Sequence, residues 1–184
     1  VLQEWRTAFN ELQQDRRKLM IRVNGFTPDQ LESQPSPSEW SLLQVIDHLA
    51  LSERALLLDA TKKLSKPARA VTVRENLMAL AVLTVMKSRI KVKTPSNARH
   101  VISQNTTPFD VVRSQWSATR DEFERFLEEL PAERRTSALF RHPVSGGMTA
   151  SQALRFIRAH IHHHQRQIDR LTLRAPAAVS IASQ

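Results

Sequence analysis

Apolar residues recur at three- and four-residue steps through most of the chain, the spacing of helices that bury one face. Leu2, Trp5, Phe9, Leu12, Leu19 and Val23 form one such stripe, which predicts a first helix over about 2–24, broken at Gly25. Residues 26–40 are rich in Pro, Ser and Gln and read as a loop, with Thr27-Pro28-Asp29-Gln30 placed to cap one short turn. Ser41-Leu42-Leu43-Gln44 fits a capping box, so a second helix starts at Ser41 and runs to about Lys63 through Val45, Ile46, Leu49, Leu56 and Leu57. Residues 73–92 predict a third helix, apolar nearly all round from Leu77 to Met86 and basic at its end. Residues 94–106 are polar and irregular.

A fourth helix is expected with Thr107 as N-cap and Pro108 at its first position, where a missing N–H costs nothing. Val112, Trp116, Thr119, Phe123, Phe126 and Leu130 then alternate steps of four and three, as in the seam of a helical bundle, and Pro131 ends the run. A loop containing His142-Pro143 and Gly146-Gly147 leads to a second capping box, Thr149-Ala150-Ser151-Gln152. The last helix extends to about Leu173. Residues 1–174 thus read as one all-α bundle domain, with 175–184 as a weakly ordered tail.

Composition supports this picture by what it lacks. Three glycines and no tyrosine in 184 residues argue against an all-β chain, whose hairpins want Gly or Asn. The absence of cysteine removes disulfides, thiolate ligands and thiol nucleophiles. Charged residues within the first 25 positions leave no signal-peptide core, and the longest apolar run, Leu77 to Met86, is far short of the roughly 20 residues of a membrane span. A soluble cytoplasmic protein is the expectation.

The net charge of +9 changes meaning once located: residues 61–100 hold ten basic residues against Glu75 alone, so the rest of the chain balances to zero. That segment could meet phosphate or an anionic ligand. No aromatic residue is interleaved for base stacking, so a solvated connector and helix end is the simpler reading, and nucleic-acid binding rests on charge alone.

Candidate chemistry concentrates in the last helix, at His160-Ile161-His162-His163-His164. At about 100° per residue, His164 falls within the apolar stripe of Ala150, Leu154, Ile157, Ile161, Ile168 and Leu171, and His160 at its flank. His162 points away and His163 lies between. His160 and His164 are therefore the pair that can converge inward, at the i, i+4 spacing of helical zinc ligands, although Ile161 stands where a metalloprotease would carry Glu. A third ligand must come from another helix. Of the remaining histidines, His100 and His142 fall in expected loops, whereas His48 lies in a well-signalled helix at the flank of its apolar face. Gln167 lies one turn beyond His164 and could bond a ligand or substrate. Glu53 projects from the apolar face of the second helix, where a carboxylate needs a partner or a raised pKa. It is open to the roles of proton acceptor, ligand or ion-pair member, of which the last is favoured.

The segment Trp40-Ser41-Leu42-Leu43-Gln44-Val45-Ile46-Asp47-His48-Leu49 resembles the start of the second helix of DinB/YfiT-like proteins. His142-Pro143, Gly147, Thr149 and His160-x-x-x-His164-x-x-Gln167-Ile168 also look like that family, as do Thr27-Pro28-Asp29-Gln30-Leu31 and Pro37. The middle of the chain, about 62–106, carries no such motif. The resemblance implies a four-helix bundle in up-down-down-up order with an accessory helical segment. It also implies a divalent metal, zinc or nickel, held by His48, His160 and His164, and commonly a homodimer. Some members are transferases that use a low-molecular-weight thiol and others are suspected metal-dependent hydrolases. A metal-dependent enzyme acting on a small molecule is thus the leading expectation, with Glu53 or His163 as candidate bases. A stress-response or binding module with a structural or sensory metal is the alternative.

Overall fold

A computed structural model describes residues 2–88, 96–104 and 107–174. Six helices carry the fold: α1 (Leu2–Val23), α2 (Pro28–Glu32), α3 (Leu42–Leu64), α4 (Val73–Lys87), α5 (Phe109–Glu129) and α6 (Ala150–Arg174). Between α5 and α6 a small antiparallel hairpin pairs β1 (Phe140–His142) with β2 (Gly146–Met148). The expected tail at 175–184 lies outside the described residues, as does the predicted end of the third helix beyond residue 88.

Helix directions follow from which side chains meet. Arg158 reaches Glu11 and Asp15 while Arg22 reaches Asp169 and Thr172, so α1 and α6 run parallel. Arg6 pairs with Glu128, Arg16 with Ser117 and Asn24 with Arg113, so α1 and α5 run antiparallel. Glu53 pairs with Arg120, and Arg134, just beyond α5, donates to the carbonyls of Lys63 and Lys66 at the end of α3, so α3 and α5 run parallel. In chain order α1, α3, α5 and α6 are up, down, down and up. Two parallel neighbours require a long crossover, and residues 65–108, including α4, supply it between α3 and α5.

Both capping boxes read from the sequence are formed. Ser41 and Gln44 satisfy each other's backbone N–H at 2.8 and 3.1 Å, and Thr149 and Gln152 do so at 2.9 and 3.3 Å. A further box, Thr72 with Glu75, opens α4. The start of α5 differs from expectation: Pro108 itself is the N-cap, in extended conformation and with no side-chain cap, and the helix begins at Phe109. The core comprises the predicted stripes, including Phe9, Leu12, Leu19, Ile46, Leu49, Val112, Trp116, Phe123, Leu154, Ile157 and Ile161. Near the end of α5, Leu127 is buried where Phe126 is only partly so, because the helix turns slightly past the 3.5-residue seam.

The hairpin corrects the expectation of a plain loop. Its strands are three residues each, too short to show alternation, and two of the chain's three glycines sit in it. Gly146 has φ +82°, and a Cβ at Gly147 would lie within 3 Å of Arg69, Ala138 and Glu75. Glu75 ties this hairpin to α4: it accepts from Gly147 N at 2.7 Å while Arg69 donates to both of its oxygens at 2.8 Å. The Arg69 guanidinium holds its carboxyl far below the usual carboxylate range. On α4, Ala79 and Val82 face inward and Val73, Leu77 and Leu80 stay exposed. Residues 96–101, read as irregular, form a short 3-10 segment that packs on α3. No helix among the described residues is long and apolar enough to cross a membrane.

Candidate metal centre

His48 stands near the N-terminal end of α3, between Ile46 and Leu49 in the core, and His160 and His164 stand on successive turns of α6. The helices bring the three rings together edge to face, with centroids 4.8–5.1 Å apart. His160 Nε2 lies 3.1 Å from His48 Nε2 and 3.2 Å from His164 Nε2. One ligand atom from each ring lies within 4.8 Å of the others, and among the described residues this is the one group of three or more potential metal ligands so disposed.

The opposite ring nitrogens show which tautomers are present. His48 Nδ1 is 2.7 Å from the carbonyl oxygen of Val101, and a carbonyl can only accept, so Nδ1 carries the proton. His164 Nδ1 donates in the same way to Gln167 Oε1 at 3.0 Å. Each therefore aims an Nε2 lone pair at His160 Nε2, which has at most one proton to donate. Two lone pairs and one possible donor are an unbalanced set, and a cation among the three nitrogens balances it. Outward Nδ1–H bonds to carbonyl oxygens are also the usual support of metal-binding imidazoles.

Burial reinforces the neutral state that ligation requires. It pushes His164 down to about 3, with the nearby His48 ring adding to the effect. Burial likewise holds His160 well below its ordinary value, with His164 and His48 contributing, and lowers His48. Trp40, immediately before the α3 N-cap, lies edge-on to His48 at 4.9 Å and stacks on His164 at 6.2 Å. Phe156, one turn before His160, stacks on that ring at 5.4 Å. Aromatic walls on both sides fix the rings and lower the local dielectric. His48 and His160 are buried whereas His164 is only partly so, which puts the solvent-accessible edge of the cluster at His164.

The remaining candidates separate clearly. His162 is turned outward to Asp15 of α1 at 2.9 Å. His163 lies beside His164, ring centroids 5.4 Å apart, with its Nδ1 3.2 Å from the carbonyl of Met86 in α4. Glu53 is taken up by Arg120, which donates from Nε to one oxygen and from Nη2 to the other at 2.6 Å. Its place is that of an ion-pair member, the role favoured from the sequence. His142, expected in a loop, ends β1 and is buried; its Nδ1 accepts from the N–H groups of Val144 and Ser145, both at 3.2 Å, and burial lowers its pKa to about 4. Its ring meets Phe156 at 4.5 Å, so it supports the wall behind His160. Sequence reasoning missed Trp40 as a ring neighbour and Val101 as a carbonyl partner. An aromatic residue directly before an N-cap was a usable signal for the first; a backbone carbonyl leaves none.

A sequence model of the DinB superfamily matches residues 11–168. The chain belongs to the DinB superfamily. Among individual relatives, the uncharacterized protein YuaE of Bacillus subtilis (strain 168) is 29% identical over 176 residues, covering 90% of this chain and 93% of its own. A solved structure, described as "YfiT from Bacillus subtilis is a probable metal-dependent hydrolase with an unusual four-helix bundle topology", superposes with a TM-score of 0.57. It covers 91% of this chain and 85% of that one at 19% identity, and so speaks to the four-helix bundle fold alone.

Proposed function

We propose that this DinB-superfamily protein binds one divalent ion through His48, His160 and His164 and acts as a metal-dependent enzyme on a small molecule, most simply as a hydrolase. The observation that carries this reading is the convergence of three Nε2 atoms, with the outer nitrogens of His48 and His164 held by Val101 and Gln167. Three neutral imidazoles suit zinc or nickel and leave coordination positions free, the arrangement of catalytic rather than closed structural sites. An ion there would supply Lewis acidity, polarising a carbonyl or favouring ionisation of water or a thiol.

The chain's own groups do the rest. Trp40 and Phe156 hold the imidazoles and exclude water from their flanks. His163, adjacent to His164 and half-buried, is the nearest further imidazole and the candidate for moving a proton at the accessible edge. A cysteine-free chain supplies no thiol of its own, so transfer chemistry would need a low-molecular-weight thiol as a second substrate.

The solved neighbour, described as a probable metal-dependent hydrolase, favours hydrolysis over thiol transfer. The test is to load the protein with zinc or nickel, verify one ion per chain, and compare ester and amide hydrolysis with thiol addition. Turnover that disappears in His160→Ala supports the assignment. Full occupancy with neither activity over a broad substrate panel points instead to a sensory or structural metal.

A further inference from the structure

A pocket at the end of the bundle, where α1 ends and α3 and α5 begin, is lined by none of the histidines. Leu31 and Leu43, each 2% exposed, form its base, and the half-buried Phe26 and Phe109 its sides. The cavity measures about 280 Å³, close to the roughly 300–1,000 Å³ of small-molecule sites. Local sequence fixes its walls. The Thr27–Gln30 capping box closes α2 and Leu31 anchors that helix in the core, so Glu32 stands on a held turn. Along the neighbouring helices α3 and α5, Glu53 pairs with Arg120 and Arg54 with Glu122, at offsets of 67 and 68 residues. The same offset sets Asp110 beside Leu43 in the pocket wall.

The charged groups of this pocket are of one sign. Glu32 and Asp110 alone carry charge among its lining residues, and neither carboxylate has an ion pair or hydrogen bond among the described residues. Two features oppose them. The N-terminus of α5 opens here without a side-chain cap and contributes about half a positive charge. Arg113, one turn after Asp110, lies outside the lining and donates to Asn24 Oδ1 at 3.3 Å. Pro28 and Pro108, which also line the pocket, bring no N–H to an anion. Asp47 follows Leu43 by one turn on the same face of α3 and adds a third carboxylate, 7% exposed and without an ion pair or hydrogen bond among the described residues. Three carboxylates against one guanidinium and a helix end leave this corner negative, in a chain whose net charge is +9.

We propose that this pocket binds a small organic cation, an ammonium group on an apolar body of about one ring. The body enters between Phe26 and Phe109 and the charge stays at the rim with Glu32 and Asp110. The apolar base supplies the affinity, because Leu31 and Leu43 offer nothing polar to a ligand. The carboxylates supply the selection by charge. Both are exposed, so solvent screens them and their preference for a cation is modest and sensitive to salt. The pocket is separate from the histidine cluster, and the proposal holds whether or not an ion occupies that centre.

The test is an NMR titration of the isotope-labelled full chain with three probes of one size at matched, low ionic strength: phenethylammonium, 2-phenylethanol and phenylacetate. It is run on the natural chain and on Glu32→Gln combined with Asp110→Asn, whose exposed positions leave the core untouched. Each carboxylate is worth about threefold, the size of an exposed charge pair, so the two together give about tenfold. The expected result is saturable shifts at the amides of residues 26–32, 43 and 109–110, with phenethylammonium bound about tenfold tighter than the alcohol and phenylacetate weakest. The double variant should lose that tenfold while its affinity for the alcohol stays unchanged, and added salt should erode the same preference in the natural chain. Equal affinity for ammonium and alcohol overturns the proposal, as does no saturable shift with any probe. Tighter binding of phenylacetate overturns it in favour of an anion at the α5 N-terminus. An undiminished ammonium affinity in the double variant, or shifts centred on His48, His160 and His164, places the cation elsewhere and overturns it too.

Discussion

Replacing Arg120 by methionine isolates the energetic role of Glu53. The two side chains are 1% and 3% exposed, so solvent does little to screen them, and the substitution strands a carboxylate in the core with both acceptor oxygens unmet. Breaking one side of such a pair typically costs about 3–5 kcal/mol. At roughly 2–4 °C per kcal/mol for a chain of this size, Tm should fall by about 6–20 °C. Glu53→Leu combined with Arg120→Met removes the charge and the orphaned oxygens together, and should recover most of that loss. Denaturant titration monitored by circular dichroism gives both values, and metal content measured in parallel should stay at the natural level in every variant that folds. A loss under about 1 kcal/mol in Arg120→Met, or a double variant no better than the single one, would refute the ion-pair reasoning. A double variant that folds, keeps its metal and loses turnover would return Glu53 to the chemistry.

Three further outcomes are expected. Gln167→Leu, which removes the acceptor for His164 Nδ1, should weaken metal affinity about 10–100-fold in competition with a chromogenic chelator while Tm of the metal-free protein barely moves. His142 is depressed from 6.5 to about 4, so its contribution is fully present above about pH 6.5 and is lost as pH falls toward 4, on the order of 3 kcal/mol in all; the unfolding free energy of metal-free His142→Gln should fall less steeply over that window than that of the natural chain, by up to one proton's slope. If two copies pair through the exposed face of α4, combining Leu77→Asp with Leu80→Asp should halve the mass read by sedimentation velocity; a natural chain that sediments as a monomer, or a variant of unchanged mass, refutes a dimer on that face.

What the sequence made legible is what short-range geometry controls. Helical phase distinguished His160 and His164 from His162, and the structure turns His162 to Asp15 as that phase requires. The Ser41 and Thr149 boxes were readable because both partners lie within four residues. The partner of Glu53 was harder, because a charged residue is not ordinarily assigned to a core. Yet Arg120 lies four residues after Trp116 and three before Phe123, on the seam that was read as buried. An acid within one apolar stripe and a base within another is a signal that they meet. The hairpin left only its glycines as a trace, since three-residue strands carry no period.

The candidate centre itself divides along the same line, and the division has a physical consequence. The support of His164 is local: Gln167 is three residues away on the same helix, so it is present whenever that turn of α6 is formed. The support of His48 is distant, a backbone carbonyl 53 residues along the chain in the 3-10 segment that follows α4. No side-chain substitution at Val101 removes that acceptor, and only displacement of the segment can. His48 also comes from a helix that meets α6 only when the bundle closes. The pair on α6 can therefore form with the helix, whereas the third ligand and its orienting carbonyl arrive together with the tertiary fold. Affinity for the ion is then coupled to the packing of the crossover against α3, and perturbing residues 96–101 should affect His48 before it affects the other two ligands.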